Sequence, residues 1–217
     1  MRIVTLNICH AKYSNIDEIC NLILRINPDL LMVQEIDRNA ERSGYIDQFN
    51  CICQQCEFSY SYFVPTILFE NMGEYGIAVF SKTQIADIMS LNLSIYKDNE
   101  PRFAIAFRLK NYNVDFITAH LSRNELFAKI QLDYLKKYFC HSRWMFIGDF
   151  NLGTPTVETV LGYIDKDETF TWPYINPTVR LDHIITNFEH NGQSYIYDTY
   201  GKTDHLSVVL EINENIL

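Results

Sequence analysis

The chain has no continuous apolar run of the roughly 18–20 residues that a membrane-spanning helix needs, so none is expected. Its N-terminal segment, Met1-Arg2-Ile3-Val4-Thr5-Leu6-Asn7, lacks the apolar stretch and small-residue cleavage site of an export signal and reads as a strand. Glycine (8) and proline (6) are scarce among 217 residues, which excludes collagen-like, low-complexity and linker-dominated chains. Cysteine occurs six times, without the spacing of a disulfide framework. With no export signal read, the expectation is reduced thiols in a cytoplasm. Positive charge is also short: 18 Lys and Arg stand against 27 Asp and Glu, a net charge of −9. Such a surface repels a polyanion, which excludes passive binding of nucleic acid over the whole molecule. It does not exclude an enzyme that meets phosphate through a bound cation.

What is present is ordinary globular material. Apolar residues make up 47% and charged residues 21%, with aromatics rich at 14%. Residues 1–217 read as one domain, large enough to bury a core without a metal or disulfide staple. The chain is expected to act as a monomer.

Along the chain, residues 1–8 read as a strand. Ser14-Asn15-Ile16-Asp17 reads as a helix start, continued by Ile16, Ile19, Cys20, Ile23 and Ile26 at helical spacing. Asn27-Pro28-Asp29 stops that helix, and Leu30-Leu31-Met32-Val33 forms a short apolar strand ending in Gln34-Glu35. Residues 36–75 read as polar loops with a short helix. Strands are expected over 76–82, 88–93, 102–109 and 113–119. Leu126, Ile130 and Tyr134 mark a helix over 125–139. A buried strand follows at 144–149, then a short helix at 154–162 and strands near 181–186, 194–198 and 205–212. Strand–helix–strand ending in an acid occurs twice, at Glu35 and at Asp149, which points to two sheets flanked by helices.

Asn7, Glu35, His120, Asp149, Asn151, Asp182, Asp204 and His205 gather at the expected strand ends. Each alone has a plain reading as a turn residue, a cap or a solvated acid. Together, carboxylate and amide oxygens suit a hard cation such as Mg²⁺, and a His beside an acid suits proton transfer or phosphate stabilisation. Acids and His without a nearby Cys argue against a structural Zn²⁺ site.

Thr5-Leu6-Asn7, Gln34-Glu35, Gly76-Ile77-Ala78-Val79-Phe80-Ser81-Lys82, Thr118-Ala119-His120-Leu121, Gly148-Asp149-Phe150-Asn151, Leu181-Asp182-His183-Ile184 and Thr203-Asp204-His205 resemble the ordered motifs of the endonuclease/exonuclease/phosphatase superfamily. The resemblance spans residues 5–205. It implies a four-layered α/β/β/α sandwich, with two mixed, mostly antiparallel sheets packed face to face and helices outside. It also implies metal-dependent hydrolysis of phosphoesters, with Mg²⁺ as cofactor and Mn²⁺ as a substitute. By position, Asn7, Glu35 and Asp204 would hold the metal. Asp149 and Asn151 would position water and phosphate, Asp182 would orient His205, and His120 would contact the phosphate. Whether Asp149 or His205 takes the water's proton stays open. The leading expectation is a nuclease acting on DNA. Phospholipid headgroups, phosphoinositides and small phosphodiesters compete with it. A catalytically inactive binding module is disfavoured, because every motif position is filled.

Departures are small. Thr203 stands where many members carry Ser, and His183 where Tyr is common. The segment Thr169-Phe170-Thr171-Trp172-Pro173, with Pro177 and Arg180, resembles the aromatic loop that precedes the late Asp. Arg102 and Trp172 are candidate substrate contacts, and Glu74 is a candidate partner of His120, though a solvated loop acid is the plainer reading. Cys51-x-Cys53-x-x-Cys56 lacks a matching second half for a metal site. Lys129, Lys136, Lys137 and Arg143 read as a solvated helix face.

Overall fold

The computed structural model describes residues 1–70, 72–163 and 169–217. In chain order the elements are β1 (Arg2–Asn7), α1 (Ile16–Ile26), β2 (Leu30–Arg38), α2 (Gln48–Gln55), β3 (Tyr60–Leu68), β4 (Glu74–Ser81), β5 (Ile85–Asn92), β6 (Phe103–Leu109), β7 (Asp115–His120), α3 (Glu125–Tyr138), β8 (Trp144–Asp149), α4 (Thr154–Leu161), β9 (Asp182–Thr186), β10 (Gln193–Tyr197) and β11 (Ser207–Glu211). One sheet runs β10-β11-β1-β2-β4-β3 and the other β5-β6-β7-β8-β9. Only β1/β2 and β7/β8 pair in parallel; the other neighbours are antiparallel. Each parallel pair is joined through a helix, α1 or α3, as a parallel connection requires.

Strand alternation builds the layers. Ile3, Leu30, Met32, Ile77 and Val79 face Phe116, Met145, Ile147 and Ile184 between the sheets. The intervening residues Val4, Leu6, Leu31, Val33, Ala78 and Phe80 pack on α1 and α2. Ile117, Ala119, Trp144, Phe146 and Ile185 pack on α3 and α4. The result is the four-layered α/β/β/α sandwich. α1 forms where expected: the Asn15 side chain accepts the Glu18 N–H, and Asn27 ends the helix at φ 51°. All six cysteines are free, and no helix among the described residues is long and apolar enough to cross a membrane.

Three expectations change. The 36–75 stretch is mostly ordered structure: β2 continues to Arg38, and β3 occupies 60–68. β3 is an edge strand with Pro65 beside a register shift, where a missing N–H is tolerated, and its sequence lacks clean alternation. Glu35 therefore lies inside β2, not at its end. In α3 the helix stands, but Leu126, Ile130 and Tyr134 are exposed, while Ala128, Gln131, Leu132 and Leu135 are buried. Gln131 is drawn inward because its amide accepts the Ser122 N–H and donates to the Leu93 carbonyl.

Candidate active site

The site is the polar end of the inter-sheet layer. Counting by twos from Ile3, Phe116, Met145 and Ile184 on the inter-sheet face reaches Asn7, His120, Asp149 and Asp182. Register then sets them side by side, His120 opposite Asp149 and Asp149 opposite Asp182. Glu35 has the wrong parity, since Leu31 and Val33 face the helices. A bulge between Val33 and Ile36, with Glu35 at φ 58°, resets the count: Ile36 takes the helix-facing place and Glu35 is freed toward the site. Gly148 holds β8 close to β7. It sits at φ 143°, and a Cβ there would lie 2.1 Å from the Ala119 carbonyl oxygen.

Around the strand ends of the second sheet, which His205 joins from the segment before β11 of the first sheet, hydrogen bonds are dense. His205 Nδ1 lies 2.8 Å from Asp182 Oδ2; the carboxylate can only accept, so Nδ1 carries the proton. His205 Nε2 is 3.8 Å and His120 Nε2 3.6 Å from Asp149 Oδ2. The Asn151 N–H donates to Asp149 Oδ1, and the Asn151 side chain donates to the Leu121 carbonyl. Thr171 Oγ1 accepts the N–H groups of Leu181 and Asp182, fixing the backbone under Asp182. Thr199 Oγ1 donates to the His205 carbonyl.

The half contributed by the first sheet is looser. Asn7 Nδ2 donates to Asp149 Oδ2 at 3.0 Å and to Glu35 Oε1 at 3.1 Å, so one amide bridges both halves. Asn7 is itself held, its Oδ1 accepting the Cys9 N–H and its carbonyl accepting the Thr203 hydroxyl. Glu35 Oε2 stands 3.9 Å from His10 Nδ1. Cys9 lies between Glu35 and Asp204: burial, then those two charges, push its thiol up to about 12.

Charge is distributed unevenly. Burial and the Asp182 charge push Asp149 up to about 6, against His205, Asn7 and the Asn151 N–H. Burial disfavours a charged His205, but Asp182, and behind it Asp149 and Asp204, raise it to about 10. Burial, then the Arg102 charge, lower His120 to about 3, so it is neutral at pH 7. Burial also opposes the charge of Glu35; His10, His120, Asn7 and His205 outweigh it and hold the carboxyl at about 2. Asp182 is lowered because His205 and Thr171 prevail over burial.

Of the residues expected from sequence, Asn7, Glu35, His120, Asp149, Asn151, Asp182 and His205 meet in one network, and Asp204 stands beside it at Cys9. Arg102 is buried on the His120 side, its Nη2 3.1 Å from Glu100 Oε2 and its Nε buried without a partner. Trp172 is 37% exposed in the segment before β9, and it is the neighbouring Thr171 that touches the network. Glu74 does not pair with His120; it lies in β4 and faces Arg38 at 3.4 Å. Sequence reasoning missed Thr171, Cys9 and His10. The expectation that no Cys stands near the acids and His fails, because β1 and the turn after it bring Cys9 against Glu35 and Asp204. Thr171 lies in the quoted segment before the late Asp, whereas the role of His10 depends on a backbone turn with no motif.

The model of the Endonuclease/Exonuclease/phosphatase family matches residues 4–205. The chain belongs to this family of phosphoester hydrolases. No curated protein matches it in sequence. Among solved structures, it is similar to an endonuclease/exonuclease/phosphatase from Beutenbergia cavernae, with TM-score 0.79, 17% identity and coverage of 98% of this chain and 72% of that one. A D. rerio TDP2 humanized by 14 mutations gives TM-score 0.75 at 15% identity, covering 98% of both chains. The 3′-5′ exonuclease NExo from Neisseria meningitidis gives TM-score 0.73 at 14% identity, covering 98% of this chain and 100% of that one.

Proposed function

We propose that the protein is a divalent-metal-dependent phosphodiesterase acting on DNA. The observation that carries this reading is the Asn7 amide, which joins a carboxylate ionised down to about pH 2, Glu35, to one poised near neutrality, Asp149. A low-pKa carboxylate suits holding a cation, and one near 6 suits taking a proton at working pH. The carboxylates of Glu35 and Asp204 would offer hard oxygens, which fits Mg²⁺, with Mn²⁺ as a substitute, and Asn7 would hold Glu35 in place through its Nδ2. When bound, that ion would neutralise charge building on the phosphoryl oxygens.

The chain's own residues do the rest. Asp149 orients water and accepts its proton as the water oxygen bonds to phosphorus and the ester P–O bond breaks. Asp182, with Asp149 and Asp204 behind it, favours the charged imidazolium of His205, which suits a hydrogen-bond donor to the phosphate from Nε2 more than a base. Asp182 holds that imidazolium in place. Neutral His120 donates from the opposite side, and the Asn151 backbone N–H keeps the Asp149 carboxylate aligned.

DNA is favoured because a related fold, a Neisseria 3′ phosphatase, is described bound to a product DNA hairpin. Exposed Phe170, Trp172 and Ile175 beside the site, on a chain of net charge −9, favour a second reading in which a phospholipid headgroup or small phosphodiester is the substrate. Plasmid, abasic duplex, single strand, sphingomyelin, inositol phosphates and an aryl phosphodiester, each with Mg²⁺ and with EDTA, separate the two. Mg²⁺-dependent cutting of DNA is the expected result. Cleavage of none of these substrates defeats the proposal.

A further inference from the structure

Cys9, His10 and Glu35 bring a thiol, an imidazole and a carboxylate together, their ligand atoms all within 4.8 Å of one another. The hard-cation chemistry above calls for neither sulfur nor this imidazole. His10 Nδ1 is buried and makes no hydrogen bond; Glu35 Oε2, at 3.9 Å, is beyond bonding reach. Cys9, His10 and Ala11 take φ of 44°, 45° and 58°, three successive non-glycine residues in the left-handed region. Such geometry costs about 1–3 kcal/mol per residue and persists only where surroundings enforce it. Here buried Gln48 enforces it, donating to the His10 carbonyl at 2.7 Å while its own carbonyl accepts the Asp37 N–H. A cleft of about 390 Å³ lined by His10, Arg42 and Gln48 opens beside the loop.

We propose that Cys9, His10 and Glu35 form a second, softer metal site that captures Zn²⁺. Tetrahedral Zn²⁺ with sulfur at about 2.3 Å and nitrogen or oxygen at about 2.0–2.1 Å holds its ligand atoms roughly 3.3–3.6 Å apart, the nitrogen–oxygen pair at the short end. The His10–Glu35 spacing of 3.9 Å is about half an ångström longer, a gap that a small side-chain movement closes. Ligation replaces the Cys9 S–H bond by a metal–sulfur bond and releases the proton to solvent, with no change of oxidation state. Three protein ligands leave the fourth position for water. Because Glu35 belongs to both sites, Zn²⁺ here takes it from the hard cation, so Zn²⁺ competes with Mg²⁺-supported hydrolysis. That consequence rests on the hydrolytic reading; the site itself does not.

The test is spectroscopic and uses the full chain. Co²⁺ is titrated into the metal-free protein as a stand-in for Zn²⁺. One equivalent is expected to give the intense near-ultraviolet absorption of a cobalt–thiolate bond. Cys9→Ser abolishes it, Cys53→Ser leaves it, and His10→Ala weakens Zn²⁺ binding, followed by competition with a chromogenic chelator, by more than about tenfold. No thiolate band, or a band that survives Cys9→Ser, overturns the site whatever the substrate panel gives. An unchanged Zn²⁺ affinity in His10→Ala also overturns it as drawn, and matched circular dichroism shows that each variant is folded. If the band obeys these rules and no substrate is cut, the metal site stands and the hydrolytic reading falls.

Discussion

The two halves of the site are built to different standards. On the second-sheet side, His120, Asp149 and Asp182, joined by His205 from the segment before β11, are all buried, and strand register or a direct bond fixes most of their spacings. On the first-sheet side, Glu35 sits on a bulge, His10 has an orphan nitrogen, and Glu35 and His10 remain about one-fifth exposed. Buried polar groups are costly unless paired; apart from Asp182 Oδ1, the second-sheet half pairs its side chains within the fold, whereas the first-sheet half is finished by something else. A cation is the simplest completion, since it supplies the positive charge that Glu35 lacks a full partner for. One half thus carries preorganisation, and the other carries binding.

If that division holds, damage to the second-sheet half falls on chemistry and stability. Asp149→Asn keeps size and the bond from Asn7 but removes the proton acceptor; turnover is expected to drop about 10²–10⁴-fold with an unchanged circular dichroism spectrum. Turnover within a few-fold of the parent breaks the assignment. Asp182→Asn comes next, because it leaves His205 without its buried counter-charge, at a cost of about 3–5 kcal/mol. The folded pKa of His205 is raised to about 10 from the ordinary 6.5, so its contribution is complete below pH 6.5 and fades as pH rises through 10. Urea midpoints of the metal-free parent should therefore fall between pH 7 and 10 more steeply than those of the variant. Parallel slopes sink that account. Gly148→Ala is expected to cost about 2–4 kcal/mol, from a 2.1 Å contact with the Ala119 carbonyl and a φ that favours glycine. Its thermal midpoint measures that cost, and a loss under 1 kcal/mol means that β7 and β8 can part without disturbing Asp149.

The second-sheet half was also the more legible in sequence. Gly148-Asp149-Phe150-Asn151 and Thr118-Ala119-His120 end strands whose alternation is clean, so counting by twos from Phe116 or Met145 gives the face of each polar residue. The same count misplaces Glu35, because a bulge is a backbone event that leaves no residue pattern of its own. Order of motifs carried Glu35 where periodicity could not. β3 was lost for a related reason: an edge strand with Pro65 has neither face fully buried and reads as loop. In α3 the period was right and the face hidden. Leu126, Ile130 and Tyr134 and the set Ala128, Leu132 and Leu135 are both apolar rows at helical spacing, and only the sheet beneath, lined by Ala104, Ala106 and Ala119, selects the slimmer row.

The effect with the smallest reach, confined to one carboxylate and its cation, lies on the first-sheet side and separates binding from folding most sharply. Glu35→Gln keeps the shape and an acceptor for Asn7 while removing the charge. The folded pKa of Glu35, about 2, is depressed below the ordinary 4.5, so its carboxylate stabilises the fold above pH 4.5 and this is lost as pH falls through 2. The variant should therefore be less stable without metal at pH 7 and indistinguishable from the parent at strongly acid pH. With Mg²⁺ the difference widens, since an ion that binds only the folded state adds about 2.7 kcal/mol at a hundred times its Kd. Thermal midpoints with and without Mg²⁺ read both terms. The parent should rise on adding Mg²⁺ and Glu35→Gln should not. A rise of equal size in both proteins would mean that the cation is held by Asp149 and Asp182 instead, and the half with the denser bonds would be the metal-binding one.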